Sequence, residues 1–184
     1  MVLLGDERVV VRPGATAFTP LDFVSYPYSH SLLALCVWGI AFGGCYALLR
    51  RARLPAAVTL ALLVVSHWLL DYLTHRPDLP LTLTGHGRYG LGLWNSIPGT
   101  LAVETSIFVA GLMLFLRQTT GCDRIGSIGL WALAVFLILV YLAAAFGPPP
   151  PDAAAVAWSA QAMWLIVAWG YWVDTHRIPN RNRA

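Results

Sequence analysis

His67, Asp71 and His75 stand four residues apart in Ser66-His67-Trp68-Leu69-Leu70-Asp71-Tyr72-Leu73-Thr74-His75-Arg76-Pro77-Asp78, directly after the apolar run 54–65. Spacings of four and eight bring the three onto roughly one helical face, drifting about 40° per step. An ionisable side chain inside a membrane span is costly, so by default it marks a functional site. Two imidazoles and a carboxylate on one stripe form the donor set of a borderline divalent cation. Zinc suits that set best, with manganese or magnesium as the alternatives.

The elements that must position these residues follow from composition. The chain has 184 residues, 58% hydrophobic and only 11% charged, whereas a soluble domain carries about 25% charged residues. This is the composition of an integral membrane protein. The expected fold is all-α, a polytopic transmembrane helix bundle of about five spans at 31–49, 55–74, 100–116, 127–146 and 153–173, each near the length of about 20 residues that crosses a bilayer. Gly147-Pro148-Pro149-Pro150-Pro151-Asp152 cannot continue a helix and makes a stiff turn between the last two spans. A long loop, 75–99, rich in Gly, Pro and Thr, separates the second and third. Cys36 and Cys45 share one span and Cys122 lies in a short loop, so no disulfide framework is expected.

The net charge of +3 comes from arginine alone, since the chain has no lysine. At this low density the charge anchors loops and does not suit nucleic-acid binding. Arg50, Arg51, Arg53, Arg117, Arg124, Arg177, Arg181 and Arg183 follow the first, third and fifth spans; Arg8, Arg12, Arg76 and Arg88 fall on the other side. The richer side is expected to be cytoplasmic. The domain organisation expected is then an extracytoplasmic segment 1–30, a helical membrane domain 31–173 with its outer loop 75–99, and a cytoplasmic tail 174–184. Residues 1–30 contain neither a complete span nor a signal peptide, although they must lie outside. The expectation is that further helices precede Met1 in the natural protein; the plainer alternative is a short, nearly neutral tail that translocates.

With that topology several polar residues share one outer depth. His30 opens the first span, His75 closes the second, and Asp71 and His67 lie one and two turns deeper, at about 5.4 Å per turn. Glu104 lies about one turn into the third span, and Asp78, His86 and Asn95 lie in the loop above. The functional reading is a metal site of His30, His67, Asp71 and His75, with Glu104 as a further ligand or, like His75, a catalytic acid or base. A cation there would acidify water for hydrolysis, and Ser29, Ser31, Ser66 and Asn95 are candidates to orient the imidazoles. The plain structural alternative is a hydrogen bond between His67 and Asp71 that joins packed helices, with His75 merely ending its helix. Arg76, Arg88 and Asn95 are the candidate substrate-binding residues, the arginines holding an anionic phosphate group; the alternative for them is snorkelling to headgroups. His86, between glycines, reads as surface, and Trp94 as an anchor at headgroup depth. Trp158, Trp164, Trp169, Tyr171 and Trp172 read as a lipid-facing stripe, and Asp6, Glu7, Asp22, Asp174 and His176 as solvated charges. No Gly-x-Ser-x-Gly elbow is present, so nothing supports a serine hydrolase.

Tyr28-Ser29-His30-Ser31, the run from Ser66 through Thr74-His75-Arg76-Pro77-Asp78-Leu79-Pro80-Leu81, and Gly90-Leu91-Gly92-Leu93-Trp94-Asn95-Ser96 followed by Glu104 together carry a likeness. They resemble the bacterial membrane-bound metal-dependent hydrolases, also called LexA-binding inner-membrane hydrolases, over about residues 15–175. The His-x3-Asp-x3-His-Arg-Pro-Asp core is its specific part. The resemblance implies a helical protein of the bacterial inner (plasma) membrane with a divalent metal at His30, His67 and Asp71, and His75 adjoining. Members of that family begin with a hydrophobic region bearing a further His and then an Asp near a Trp-Pro, and this chain starts after that point.

The leading functional expectation is hydrolysis of a phosphoester or lipid-linked substrate at the outer leaflet. Two others stand beside it: a transporter or ion relay using the His/Asp/Glu layer, against which no inverted repeat is visible, and a non-catalytic membrane assembly protein. The lipid bilayer is the one partner expected outright, and oligomeric state is left open.

Overall fold

In a computed structural model, which describes residues 1–180, five helices are long and apolar enough to cross a membrane. They are α2 (Leu32–Arg50), α3 (Leu54–Thr74), α4 (Ile97–Gln118), the helix Ile125–Phe146, whose first turns Ile125–Gly129 are π-helical and whose remainder is α5 (Leu130–Phe146), and α6 (Ala153–Thr175). Each coincides with an expected span to within three residues at either end. Large apolar side chains such as Ile40, Leu48, Leu49, Leu62, Trp164 and Leu165 stand exposed along them, as lipid-facing surfaces require. The chain is therefore a mainly helical, all-α-class, multi-pass membrane protein with three short strand pairs among its described residues.

The chain forms two compact units, Met1–Thr100 and the part from Leu101 onward. In the first, α2 and α3 form an antiparallel hairpin. Its packing depends on small residues, because lipid offers helices no hydrophobic reason to associate. Gly39 and Gly43, four apart, bring α2 against the α3 backbone; a Cβ at Gly39 would lie 2.8 Å from the Ala61 carbonyl oxygen, and one at Gly43 would overlap that of Ala57.

The polar connections gather at the end of this hairpin away from Arg51–Arg53. A short helix α1 (Pro27–His30) starts on Pro27, whose fixed φ suits a first helical position. Ser31 then turns to extended geometry and caps α2 by accepting from the Ala34 amide at 3.1 Å. Residues Arg8–Val11 (β1) and Leu21–Ser25 (β2) form an antiparallel hairpin with Val10 opposite Asp22. The loop 75–99 is more ordered than its composition suggests: Leu79–Pro80 (β3) pairs with Arg88–Tyr89 (β4), and Leu93–Asn95 forms a 3-10 turn. Tyr26, Leu35, Trp68 and Leu79 form a buried core there, closed by Phe23, Tyr72 and Leu81, and the Trp68 indole donates to the Pro80 carbonyl at 3.3 Å.

In the second unit, Asp152 caps α6 through the Ala155 amide at 2.7 Å. Thr119–Gly121 (β5) pairs with Arg177–Pro179 (β6), joining the end of α4 to the end of α6. The expected tail 174–184 is thus tied down through residue 180, by the Asn180 amide donating to the Gln118 carbonyl at 2.8 Å. Arg181 and Arg183, used above for orientation, lie outside the described residues. The three cysteines are unpaired.

Candidate metal centre

Asp71 and His67 lie one turn apart on α3, and His30 reaches them from the end of α1. The His67 Nε2 is 3.2 Å and the His30 Nε2 is 3.7 Å from the same oxygen, Asp71 Oδ2. One donor atom from each residue lies within 4.8 Å of both others. Asp71 Oδ2 is buried yet accepts no hydrogen bond. A buried carboxylate oxygen that accepts no hydrogen bond is expensive, about 1–3 kcal/mol or more, and calls for an explanation. Tetrahedral donors at about 2.1 Å from a cation stand about 3.4 Å apart, so the observed separations bracket the requirement. The donor set of two imidazoles and a carboxylate, gathered around an orphaned oxygen, fits a divalent cation. The His67 side chain is 49% exposed and that of Asp71 13%, so the group opens on the His67 side.

The imidazole of His30 is fixed from behind. Its Nδ1 lies 2.6 Å from Ser29 Oγ, and Ser29 Oγ donates to Glu7 Oε2 at 2.7 Å while the Ser29 amide donates to Glu7 Oε1 at 2.8 Å. Burial, reinforced by His67 and His75, lowers the His30 pKa to about 3, so near neutral pH its ring is uncharged, the state that ligates. Glu7 was expected to be a surface charge, but it is 6% exposed: the chain before β1 carries it under α1. Of the other candidates for orienting imidazoles, Ser66 donates to its own helix at the Leu63 carbonyl and Ser31 caps α2.

His75 is 2% exposed and ends α3. It does not join the three-residue donor group; its ring centroid is 6.2 Å from that of His30. Its Nδ1 instead meets Asp78 Oδ1 at 3.0 Å, and that oxygen also accepts from the Tyr26 hydroxyl at 2.6 Å. Burial and the Asp78 contact push the Tyr26 hydroxyl far above its ordinary pKa, so it remains a donor. Phe23 and Trp94 pack on the His75 ring, with centroids 4.7 and 4.4 Å away. Trp94, expected at headgroup depth, is thus a wall of this site.

The loop that follows locks His75 in place. The Leu91 amide donates to the Tyr72 carbonyl and the Gly92 amide to the His75 carbonyl, each at 2.7 Å, satisfying acceptors that a helix end leaves open. Gly90, at φ +153°, lies so close to the His75 and Arg76 carbonyls that a Cβ would overlap both.

The remaining sequence candidates fall in different places. Arg76 is committed to carboxylates: it pairs with Asp22 and with Asp78 Oδ2, the latter at 3.3 Å, while Asp22 also takes Arg12 at 2.7 Å. Asp22, expected to be solvated, is 5% exposed and holds this network through the β hairpin. Arg88 is exposed and donates to the Gly85 and Gly87 carbonyls. Asn95 and His86 are exposed. Glu104 belongs to the second unit, where it interacts with Tyr141 of α5; both line a mostly apolar cavity of about 260 Å³ with Phe108 and Leu137. At the far end of that unit His176, also expected to be solvated, meets Asp123 through Nδ1 at 2.6 Å. Sequence reasoning missed Glu7, Phe23 and Tyr26. The β-branched run Val9-Val10-Val11 ahead of Pro13-Gly14 is a strand-and-turn signal that points to a partner strand near Asp22 and Phe23; nothing local marks Glu7.

Compared with protein-family models, with curated proteins and with solved structures, the chain finds no match. The likeness to the membrane-bound metal-dependent hydrolases therefore rests on the quoted residues alone.

Proposed function

We propose that this membrane protein is a metal-dependent hydrolase whose centre is His30, His67 and Asp71, with His75 as its acid–base group. The observation that carries the reading is the buried Asp71 Oδ2, which accepts no hydrogen bond and lies between two imidazole Nε2 atoms at 3.2 and 3.7 Å. A divalent cation, when bound, supplies Lewis acidity. The chain's own residues do the rest. Asp78 on His75 Nδ1 fixes that ring's orientation and leaves Nε2 to take or give a proton. Phe23, Tyr26 and Trp94 wall the imidazole from bulk water and so strengthen the electrostatics inside. Arg76, already shared by two carboxylates, is a poor anchor for an added anion; Arg88 is the better candidate to offset a phosphate. The substrate class is a phosphoester or lipid-linked ester reaching the centre from the His67 side. With the arginine-rich turns inside, the centre faces the extracytoplasmic side of a bacterial inner membrane.

Purified chain in detergent is expected to retain about one equivalent of zinc or manganese through exchange into metal-free buffer, and the His67→Ala/Asp71→Ala double variant none. A folded wild type with no metal would sink the reading and leave a non-catalytic assembly protein. An ion-relay reading draws on a different observation, Glu104 facing Tyr141 inside the spans of the second unit. Metal flux into proteoliposomes, lost in Glu104→Gln, would favour it.

A further inference from the structure

The contacts behind His30 contain a proton count. A serine hydroxyl has one hydrogen, and that of Ser29 is donated to the Glu7 carboxylate at 2.7 Å. The 2.6 Å contact between Ser29 Oγ and His30 Nδ1 can then be a hydrogen bond only if Nδ1 carries the proton. The remaining ring nitrogen, Nε2, is left as a bare lone pair, and it is the atom that faces Asp71 Oδ2.

We infer that Glu7 is a positioning residue of the metal centre, selecting through Ser29 the His30 tautomer that ligates through Nε2. The inference rests on the metal reading of His30, His67 and Asp71. Three features set this contact apart from an ordinary surface hydrogen bond. Glu7 is 6% exposed, a place where a carboxylate without hydrogen-bond donors is costly. Both of its oxygens are used, and both on Ser29. Ser29 in turn is adjacent in sequence to the histidine it serves, so the amide contact fixes the backbone while the hydroxyl fixes the ring. The arrangement is the carboxylate-to-histidine support that metal-ligating imidazoles use, lengthened by one hydroxyl. Without Glu7, Ser29 is free to donate its hydrogen to Nδ1, which puts the proton on Nε2 and removes the lone pair from the centre.

The test is zinc affinity of the full chain in detergent, measured by competition with a chromogenic chelator, for wild type, Glu7→Gln, Ser29→Ala, Ser29→Thr and the Glu7→Gln/Ser29→Ala pair. Glu7→Gln keeps an acceptor for the Ser29 amide but loses the charge, and Ser29→Ala cuts the relay. Each is expected to weaken zinc by about 10–100-fold, measured on protein whose helical circular-dichroism spectrum matches that of wild type. Ser29→Thr keeps the hydroxyl and is expected to bind within about threefold of wild type, well inside that loss. Because Glu7 acts only through Ser29, the double variant should be no worse than Ser29→Ala alone. Wild-type zinc binding that survives Glu7→Gln and Ser29→Ala undiminished overturns the inference and leaves the metal centre standing. Losses that simply add, or a Ser29→Thr as weak as Ser29→Ala, overturn it as well. A wild type that binds no zinc or manganese overturns both.

Discussion

At the scale of single residues, the chemistry here is decided by what stands behind each ionisable group. Asp22 and Glu7 look like ordinary loop acids in sequence, yet each is buried and each holds a side chain of the candidate site or its frame: Glu7 through Ser29 to His30, Asp22 to Arg76. His75 illustrates the same point in reverse, because its Nδ1 is taken by Asp78 and it stands apart from the donor group. Asp123 gives a residue-level prediction outside the membrane spans. The Gly126 amide, at 2.9 Å, and then the His176 ring hold its carboxyl below the ordinary range. A carboxyl depressed in the folded state adds stability that is complete above the ordinary value of about 3.9 and is lost as pH falls through the lowered one. Thermal melts of wild type and Asp123→Asn should therefore differ most near neutral pH, with wild type the more stable, and converge below about pH 4. A gap that persists unchanged into strong acid would mean that the pairing with Gly126 and His176 does not form.

At the scale of elements, two devices build the site. One is the close α2–α3 crossing, which sets how far His30, at the end of α1 just ahead of α2, stands from Asp71, near the tail of α3. Gly43 has no room for a methyl group against Ala57, whereas nothing lies within 4 Å of a Cβ on its neighbour Gly44. Gly43→Ala is expected to destabilise the protein by about 1–3 kcal/mol through overpacking, while Gly44→Ala costs nothing and gains up to about 1 kcal/mol in helix propensity. Denaturant titrations of the two variants in detergent read the difference; equal effects would show that the helices do not approach this closely. The other device is the pair of straps over the hairpin's end. The β1–β2 hairpin delivers Asp22 and Phe23, and Gly90-Leu91-Gly92 fastens the end of α3 by the acceptors it would otherwise leave open. A glycine is required at residue 90 because the strap's backbone passes against the His75 and Arg76 carbonyls.

At the scale of the whole molecule, composition and arginine placement carry most of the functional frame. Along the sequence, eight of the twelve arginines follow the first, third and fifth spans, and the orientation we propose from that count puts the candidate centre on the extracytoplasmic side. In intact cells of a bacterial host, a Cys introduced as Thr84→Cys in the outer loop should react with a membrane-impermeant maleimide, and the native, exposed Cys122 only after permeabilisation. The reverse pattern would put the centre in the cytoplasm and remove the extracytoplasmic substrate from consideration. The second unit keeps its own chemistry, Glu104 beside Tyr141 in an apolar cavity, which the hydrolase reading does not use.

The amino-acid sequence by itself determined the five spans and their limits, because length and apolar composition are local properties that a bilayer reads directly. It also determined that His67 and Asp71 share a helical face, since a period of 3.6 residues needs no tertiary information. Only the folded chain decided that His30 completes the donor group while His75 turns to Asp78, that Arg76 is spent on carboxylates, and that Glu7 stands behind His30. Those outcomes depend on residues far apart in sequence meeting at one end of the α2–α3 hairpin. The crossing distance of two glycine-faced helices and the register of a short β hairpin set that meeting, and neither is encoded in any single stretch of the chain.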